Sequence, residues 1–221
     1  MDRHRQLLTA RICWILAPLL YFGSQVFVAS AWPVPYEVLH HTVSDLGWTT
    51  CTIEQRPSGE LASCSPRHAW FNLGGILVWI LLAAGGILLR PLYSGPSAAR
   101  GIVVLWTVVA AFGIATCLVP GDVNLALHSL LAVPVFLGTI VVLFLSARAF
   151  RGSAPLSGRA ALVTAIVSLL GLVGLVLALG GLGPVGLAER VAAETVYLWV
   201  FLVGLLGYLG GRGKKKLVRA W

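Results

Sequence analysis

Residues 160–182 read AALVTAIVSLLGLVGLVLALGGL, an unbroken apolar run without a charged side chain. About 20 apolar residues in a helix are enough to cross a hydrocarbon core of about 30 Å. Because the apolar residues are continuous rather than alternating with polar ones, the run predicts a membrane-spanning helix and not a strand of a β-barrel.

Five more runs of this kind lie along the chain, and together they predict spans at about 7–31, 69–89, 101–119, 128–147, 160–182 and 192–211. The composition agrees, since 58% of the 221 residues are hydrophobic and 11% are charged, whereas a soluble domain carries about 25% charged residues. We therefore predict an all-α integral membrane protein, a bundle of six transmembrane helices that forms one domain over residues 1–221.

The basic residues lie mainly on one side of these spans. Thirteen of the 16 fall in segments that alternate to the same side as the two termini, and the other side keeps only Arg56, Arg67 and Arg190. By the positive-inside rule we predict a multi-pass protein of the cell (cytoplasmic) membrane with both termini in the cytoplasm. The net charge of +8 is placed at the ends of spans, which favours membrane lipids as partners over nucleic acid. The oligomeric state is left open.

One connection, residues 32–68, is long enough to fold on its own, and it contains two of the four cysteines. Cys51 and Cys64 lie on the predicted outer side, where disulfides form and persist. Cys13 lies near the inner end of its span and Cys117 near the outer end of another, too far apart to join. We therefore predict a disulfide between Cys51 and Cys64 that closes the extracytoplasmic loop, rather than a thiolate metal site.

Polar side chains gather at the outer ends of the spans, although the central thirds of all six lack Asp, Glu, Lys, Arg and His. Taken singly, each polar residue there is explained as a helix cap or a brace between helices. Ionisable groups at membrane depth are nevertheless costly and often functional, so their concentration on one side predicts an outward-facing polar pocket. The candidate ligand-binding residues are Ser44, Asp45, His68, Asn72, His128, Glu189, Arg190 and Glu194.

Three functions fit this pattern. The first is a pocket that binds or processes a lipid headgroup or small amphiphile. The second is a metal-dependent membrane hydrolase, although no HxxxH or HExxH spacing is present; its candidate ligands are His40, His41, His68, His128 and Asp45. The third is a structural or accessory protein without catalysis. No metal site, cofactor or catalytic residue is assigned, and a Ser–His–acid arrangement built on Ser44 lacks a nucleophile elbow.

The stretch HTVSDLG at 41–47, followed by Cys51 and by CSP at 64–66, resembles a large bacterial family of six-helix membrane proteins. The family is catalogued as a domain of unknown function (number 998). The resemblance extends over nearly the whole chain, through Pro120 and His128 to GLAER at 186–190. It implies six helices and no particular activity, and it draws attention to Ser44, Asp45, Asn72, His128, Glu189 and Arg190.

Overall fold

The computed structural model describes residues 2–56 and 59–218, with side chains up to residue 209. It contains six long α-helices, which are α1 (Arg3–Ala29), α2 (His68–Leu88), α3 (Pro96–Leu118), α4 (Leu125–Ala149), α5 (Pro155–Leu179) and α6 (Val185–Val218). Each is long and apolar enough to cross a membrane. The predicted six-helix bundle is therefore confirmed, and the chain is a multi-pass membrane protein.

The helices form a closed ring, because each packs against the next along the chain and α6 packs against α1. Successive helices are antiparallel. One end of the ring, here called the loop end, holds residues 30–67 and the connections 119–124 and 180–184. The opposite end holds the start of α1 and the short connections 89–95 and 150–154. Pro96 and Pro155 occupy the first turns of α3 and α5, where a missing N–H costs nothing.

Large aromatic side chains fill the half of the ring away from the loop end. The ring centroid of Trp14 lies 5.2 Å from that of Trp199 and 5.8 Å from that of Trp106. Gly85 and Gly86 on α2 make room for two of these indoles, because a β-carbon at either position would overlap Trp14 or Trp106. This half of the bundle is therefore closely packed, and the space that remains lies toward the loop end.

The loop between α1 and α2 carries a β-hairpin, in which β1 (Thr52–Arg56) pairs antiparallel with β2 (Gly59–Ser63). A disulfide joins Cys51 to Cys64 at the base of the hairpin, which confirms the predicted pairing. The sequence pattern predicted no strand here, because the segment is short and largely polar. Before the hairpin, the chain forms one 3-10 turn at Ser44–Gly47, and this turn reaches the interior of the ring.

Candidate functional site

The turn that carries Ser44 is stabilised from within by Asp45. The carboxylate of Asp45 accepts hydrogen bonds from the N–H of Thr42 at 2.8 Å and from its hydroxyl at 2.6 Å. Asp45 is only 2% exposed, and Arg56 of the hairpin balances its charge at 2.8 Å. Burial alone would lower the pKa of Arg56, but the hydrogen bonds and charges of Asp45 and Glu54 outweigh it and raise that pKa. The buried pair thus fixes the turn to the hairpin.

Glu189, near the start of α6, binds the same segment from the other side. Its two carboxylate oxygens accept hydrogen bonds from the N–H of Val43 and from the hydroxyl of Ser44, the latter at 2.9 Å. Glu189 is 8% exposed. A buried carboxylate is retained when hydrogen-bond donors satisfy it, and here the donors come from the loop. Glu189 therefore sets the position of the Ser44 hydroxyl.

His128 approaches Ser44 from α4. The helix begins after Asn124, whose side chain accepts a hydrogen bond from the N–H of Leu127 at 3.0 Å. Nδ1 of His128 lies 2.7 Å from the carbonyl oxygen of Val119. Because a carbonyl oxygen can only accept, Nδ1 carries the hydrogen, and in the neutral ring Nε2 is the acceptor. This Nε2 lies 3.4 Å from the hydroxyl oxygen of Ser44.

Asn72 on α2 completes the group of polar residues. Its side-chain amide donates to the carbonyl oxygen of Gly47 at 2.9 Å. An amide nitrogen carries two N–H groups, so Asn72 has a second donor to offer a ligand. Gly47 makes this contact possible, because a β-carbon there would overlap the Oδ1 atom of Asn72.

These polar side chains lie at one end of a cavity of about 420 Å³ inside the ring. Ser44, Asn72, His128 and Glu189 line its loop end. The rest of the wall is mainly apolar and includes Phe71, Val78, Trp79, Phe136, Leu175 and Val196. The site is therefore an apolar cavity with four polar side chains at its loop end.

Part of the cavity wall is also exposed at the surface of α4 and α5. Leu125 and Val133 of α4 line the cavity and are nevertheless 64% and 50% exposed, and Val176 and Leu179 of α5 are both 64% exposed. Such side chains contribute to the inner wall and to the outer surface at once. Leu125 and Leu179 lie at the loop end of α4 and α5, and Val133 lies further along its helix.

Arg190 follows Glu189 but faces the loop rather than the cavity. Its Nη1 donates to the carbonyl oxygens of Val38 and His41, both at 2.8 Å, and its Nη2 donates to the hydroxyl of Tyr36. Burial raises the pKa of Tyr36 more than the neighbouring guanidinium lowers it, so this hydroxyl stays protonated. Arg190 therefore holds the loop against the start of α6.

Glu194 and His68 do not line the cavity themselves, although Glu194 lies 3.5 Å from the hydroxyl of Tyr21, which does. Glu194 accepts a hydrogen bond from the amide of Gln25 at 2.8 Å and lies 4.0 Å from the guanidinium of Arg190. Nδ1 of His68 lies 2.9 Å from the carbonyl oxygen of Ser65.

The eight candidate residues thus divide into two groups of four. Those that line the cavity are Ser44, Asn72, His128 and Glu189. Those that brace the loop or the helices are Asp45, His68, Arg190 and Glu194. A role in ligand binding stays a prediction for all eight.

His41, one of the histidines considered as metal ligands, contacts backbone groups through both ring nitrogens. His41 accepts a hydrogen bond from the N–H of Glu37 at 2.8 Å through Nδ1, and its Nε2 lies 3.1 Å from the carbonyl oxygen of Ala62. Both of its ring nitrogens are therefore occupied by backbone groups. Within residues 2–56 and 59–218, no three His, Cys, Asp or Glu side chains come together as a metal-binding group.

The sequence pattern missed some residues of the site. Arg56 gave no signal beyond its charge, because its contact with Asp45 depends on the fold of the hairpin. Thr42, Phe71 and Cys117 line the cavity, but nothing in their spacing distinguishes them from ordinary loop or span residues. Only the four polar residues that line the loop end of the cavity, Ser44, Asn72, His128 and Glu189, could be found from the sequence.

A family model described as "Protein of unknown function (DUF998)" matches residues 15–206. The match begins within α1 and ends within α6, so it includes the loop and all of the cavity wall. No curated protein and no solved structure matches the chain.

Proposed function

The chain belongs to this family of proteins of unknown function (DUF998), and we propose from the geometry of the cavity that it binds a membrane lipid or a similar amphiphile. The headgroup would lie against Ser44, Asn72, His128 and Glu189, and the hydrocarbon chain would occupy the apolar part of the cavity. The observation that carries this proposal is an apolar cavity with a polar end, part of whose wall is exposed on α4 and α5. We infer that this exposed part is an opening toward lipid.

The dimensions and chemistry of the cavity support an amphiphile as the occupant. Small-molecule sites span about 300–1,000 Å³ and combine apolar walls with a few polar groups that fix orientation; this cavity of about 420 Å³ falls within that range. A lipid could enter between α4 and α5 without leaving the membrane. A strongly polar solute would have to cross an apolar opening, which disfavours it.

We also propose that the loop end faces outward, with the chain in the cell membrane and both termini in the cytoplasm. The disulfide at Cys51–Cys64 is suited to an oxidising compartment, and the distribution of Arg and Lys favours the same orientation. The bacterial origin implied by the family resemblance stays a prediction. In this orientation the headgroup belongs to a lipid of the outer leaflet, because the polar end of the cavity lies at the outer face.

Native mass spectrometry of the full chain, extracted in mild detergent, tests the proposal. We expect the wild type to retain one lipid or amphiphile, and Ala132→Trp, which places an indole in the cavity, to lose it. Leu130→Trp is the matched control, because Leu130 lies two positions away on α4 and is 66% exposed on the lipid side. Both variants must unfold at a temperature close to that of the wild type.

A wild type that retains no lipid, or an Ala132→Trp variant that retains as much as Leu130→Trp, would overturn the proposal. The structural or accessory alternative predicts the first result, with the polar residues only bracing the helix ends. Elemental analysis of the same preparation tests the alternative of a metal-dependent hydrolase, which requires stoichiometric metal.

A further inference from the structure

The hydroxyl of Ser44 lies between two proton acceptors at the polar end of the cavity. Glu189 accepts its hydrogen at 2.9 Å, and Nε2 of His128 lies 3.4 Å from the same oxygen. The hydrogen on Nδ1 of His128 is held by the carbonyl oxygen of Val119 at 2.7 Å, which leaves the lone pair on Nε2. A serine, an imidazole with its acceptor nitrogen toward the hydroxyl, and a group that orients the imidazole form an activated nucleophile.

We propose that Ser44 is the nucleophile of an acyl-transfer reaction on a carboxylic ester of a membrane amphiphile, with His128 as the general base. This inference rests on the proposed function, because the cavity must first place the ester beside Ser44. The distance of 3.4 Å is longer than a good hydrogen bond, as is common in catalytic pairs without bound substrate. Rotation of the hydroxyl hydrogen about the Cβ–Oγ bond of Ser44 turns the O–H from Glu189 toward Nε2 of His128.

The first step forms a bond between the hydroxyl oxygen of Ser44 and the carbonyl carbon of the ester. The hydroxyl proton moves to Nε2 of His128, and the bond between the carbonyl carbon and the alcohol oxygen then breaks. The same proton leaves with the alcohol. The carboxylate of Glu189, on the other side of the hydroxyl, stabilises the positive charge that the imidazole carries during this step.

Water at the loop end completes the reaction. It attacks the carbonyl carbon of the acylated serine, gives one proton to His128, and releases a carboxylic acid as the proton returns to Ser44. In both steps negative charge develops on the carbonyl oxygen. The second amide N–H of Asn72, which lines the same end of the cavity, is a donor for this charge.

Labelling with a long-chain alkyl fluorophosphonate that carries a fluorophore tests the inference on the full chain in lipid nanodiscs. Attack by the serine oxygen forms an O–P bond and expels fluoride, while His128 takes the proton. We expect the wild type to be labelled and tandem mass spectrometry to place the adduct on Ser44. Ser44→Ala should lose the label. Ser30 is an exposed serine at the loop end outside the cavity, so Ser30→Ala should keep the label.

His128→Gln should slow labelling by about 100-fold or more, which is the usual contribution of a general base. The adduct site in the wild type decides the question even if a variant folds poorly. An unlabelled wild type that still retains lipid, or an adduct on another residue, would overturn the inference and leave the proposed function intact. A wild type with neither label nor lipid would overturn both.

Discussion

Glu189 and Arg190 are neighbours on α6, yet they bind opposite sides of one loop segment. Glu189 accepts from the backbone of Val43 and the side chain of Ser44, and Arg190 donates to the carbonyl oxygens of Val38 and His41. Successive residues of an α-helix point about 100° apart, so one turn of helix can hold both sides. Segment 38–44 is therefore attached to the bundle through two ionisable side chains that differ in their task.

The contacts of Arg190 with segment 38–44 predict the effect of Arg190→Lys. Lysine keeps the charge but lacks the planar fork that reaches Val38, His41 and Tyr36 together. We expect a loss of about 1.5–3 kcal/mol in the free energy of unfolding, the range for hydrogen bonds to a charged group. Hydrogen exchange of the amides at 38–44 should become faster, and thermal unfolding in detergent measures the stability.

Arg67→Lys is the control for this variant. Arg67 also donates to a backbone carbonyl, that of Phe27 at 2.7 Å, but on an exposed part of the loop end. It should change stability by no more than about 0.5 kcal/mol. Equal effects of the two substitutions would show that Arg190 is not a clamp of the segment.

Gly47→Ala tests the contact between the 3-10 turn and α2. The added methyl group would overlap the side-chain oxygen of Asn72, so either the turn or the amide must move. Overpacking of this kind costs about 1–3 kcal/mol, and it should also weaken lipid retention because Asn72 lines the cavity. Gly23→Ala is the control, since a β-carbon at Gly23 meets nothing within 4 Å. Equal stability and lipid retention in both variants would contradict the prediction.

The sequence predicts the bundle well because hydropathy over 20 residues is a strong signal in a membrane protein. It places the start of the sixth span at residue 192, whereas α6 begins at Val185. Glu189 and Arg190 lower the mean hydropathy of the first turns, so the part of the helix that forms the site is the part that a hydropathy window excludes.

The sequence could not separate cavity-lining residues from lipid-facing ones. Leu130 is 66% exposed toward lipid and Ala132 lines the cavity, yet both are apolar. In lipid, both faces of a helix are apolar, so periodicity does not give its rotation about its axis as it does in a soluble protein. Likewise, Asp45 and Glu189 are both acids near the loop end, and only the tertiary contacts show that Asp45 braces the loop whereas Glu189 lines the cavity.

A double-mutant cycle on Asp45 and Arg56 tests the buried ion pair. Removing one partner of a buried pair costs about 3–5 kcal/mol, so Asp45→Asn and Arg56→Met should each lower the unfolding temperature strongly. The double variant should be less destabilised than the sum of the two, because once one partner is absent the second substitution no longer breaks the contact between Asp45 and Arg56. Glu54, which pairs with Arg56 at 3.0 Å, is present in all variants. Glu60→Gln, on the exposed pair with Gln55 of the same hairpin, should have little effect. Strict additivity in the cycle would rule out direct coupling of the pair.

The hydrogen bonds to the carboxylate of Asp122 predict that the stability of the loop end depends on pH. One oxygen of its carboxylate accepts four hydrogen bonds, from the N–H and hydroxyl groups of Thr49 and Thr50, at 2.8–3.0 Å. Burial alone would raise the pKa of Asp122, but these hydrogen bonds outweigh it and lower the pKa below its ordinary value of 3.8. The ionised form is thus favoured by folding.

Because folding lowers the pKa of Asp122, the protein loses stability as the pH falls. The stabilisation is fully present above the ordinary aspartate pKa of 3.8 and is lost as the pH falls through the lower pKa of the folded state. The unfolding temperature of the wild type should therefore exceed that of Asp122→Asn by a constant amount from neutral pH down to the ordinary pKa of 3.8. Below this pH, the difference should shrink. Thr49→Val removes one hydroxyl donor and should move the loss to higher pH. A difference that stays constant throughout the acid range would show that the charge of Asp122 does not hold the loop.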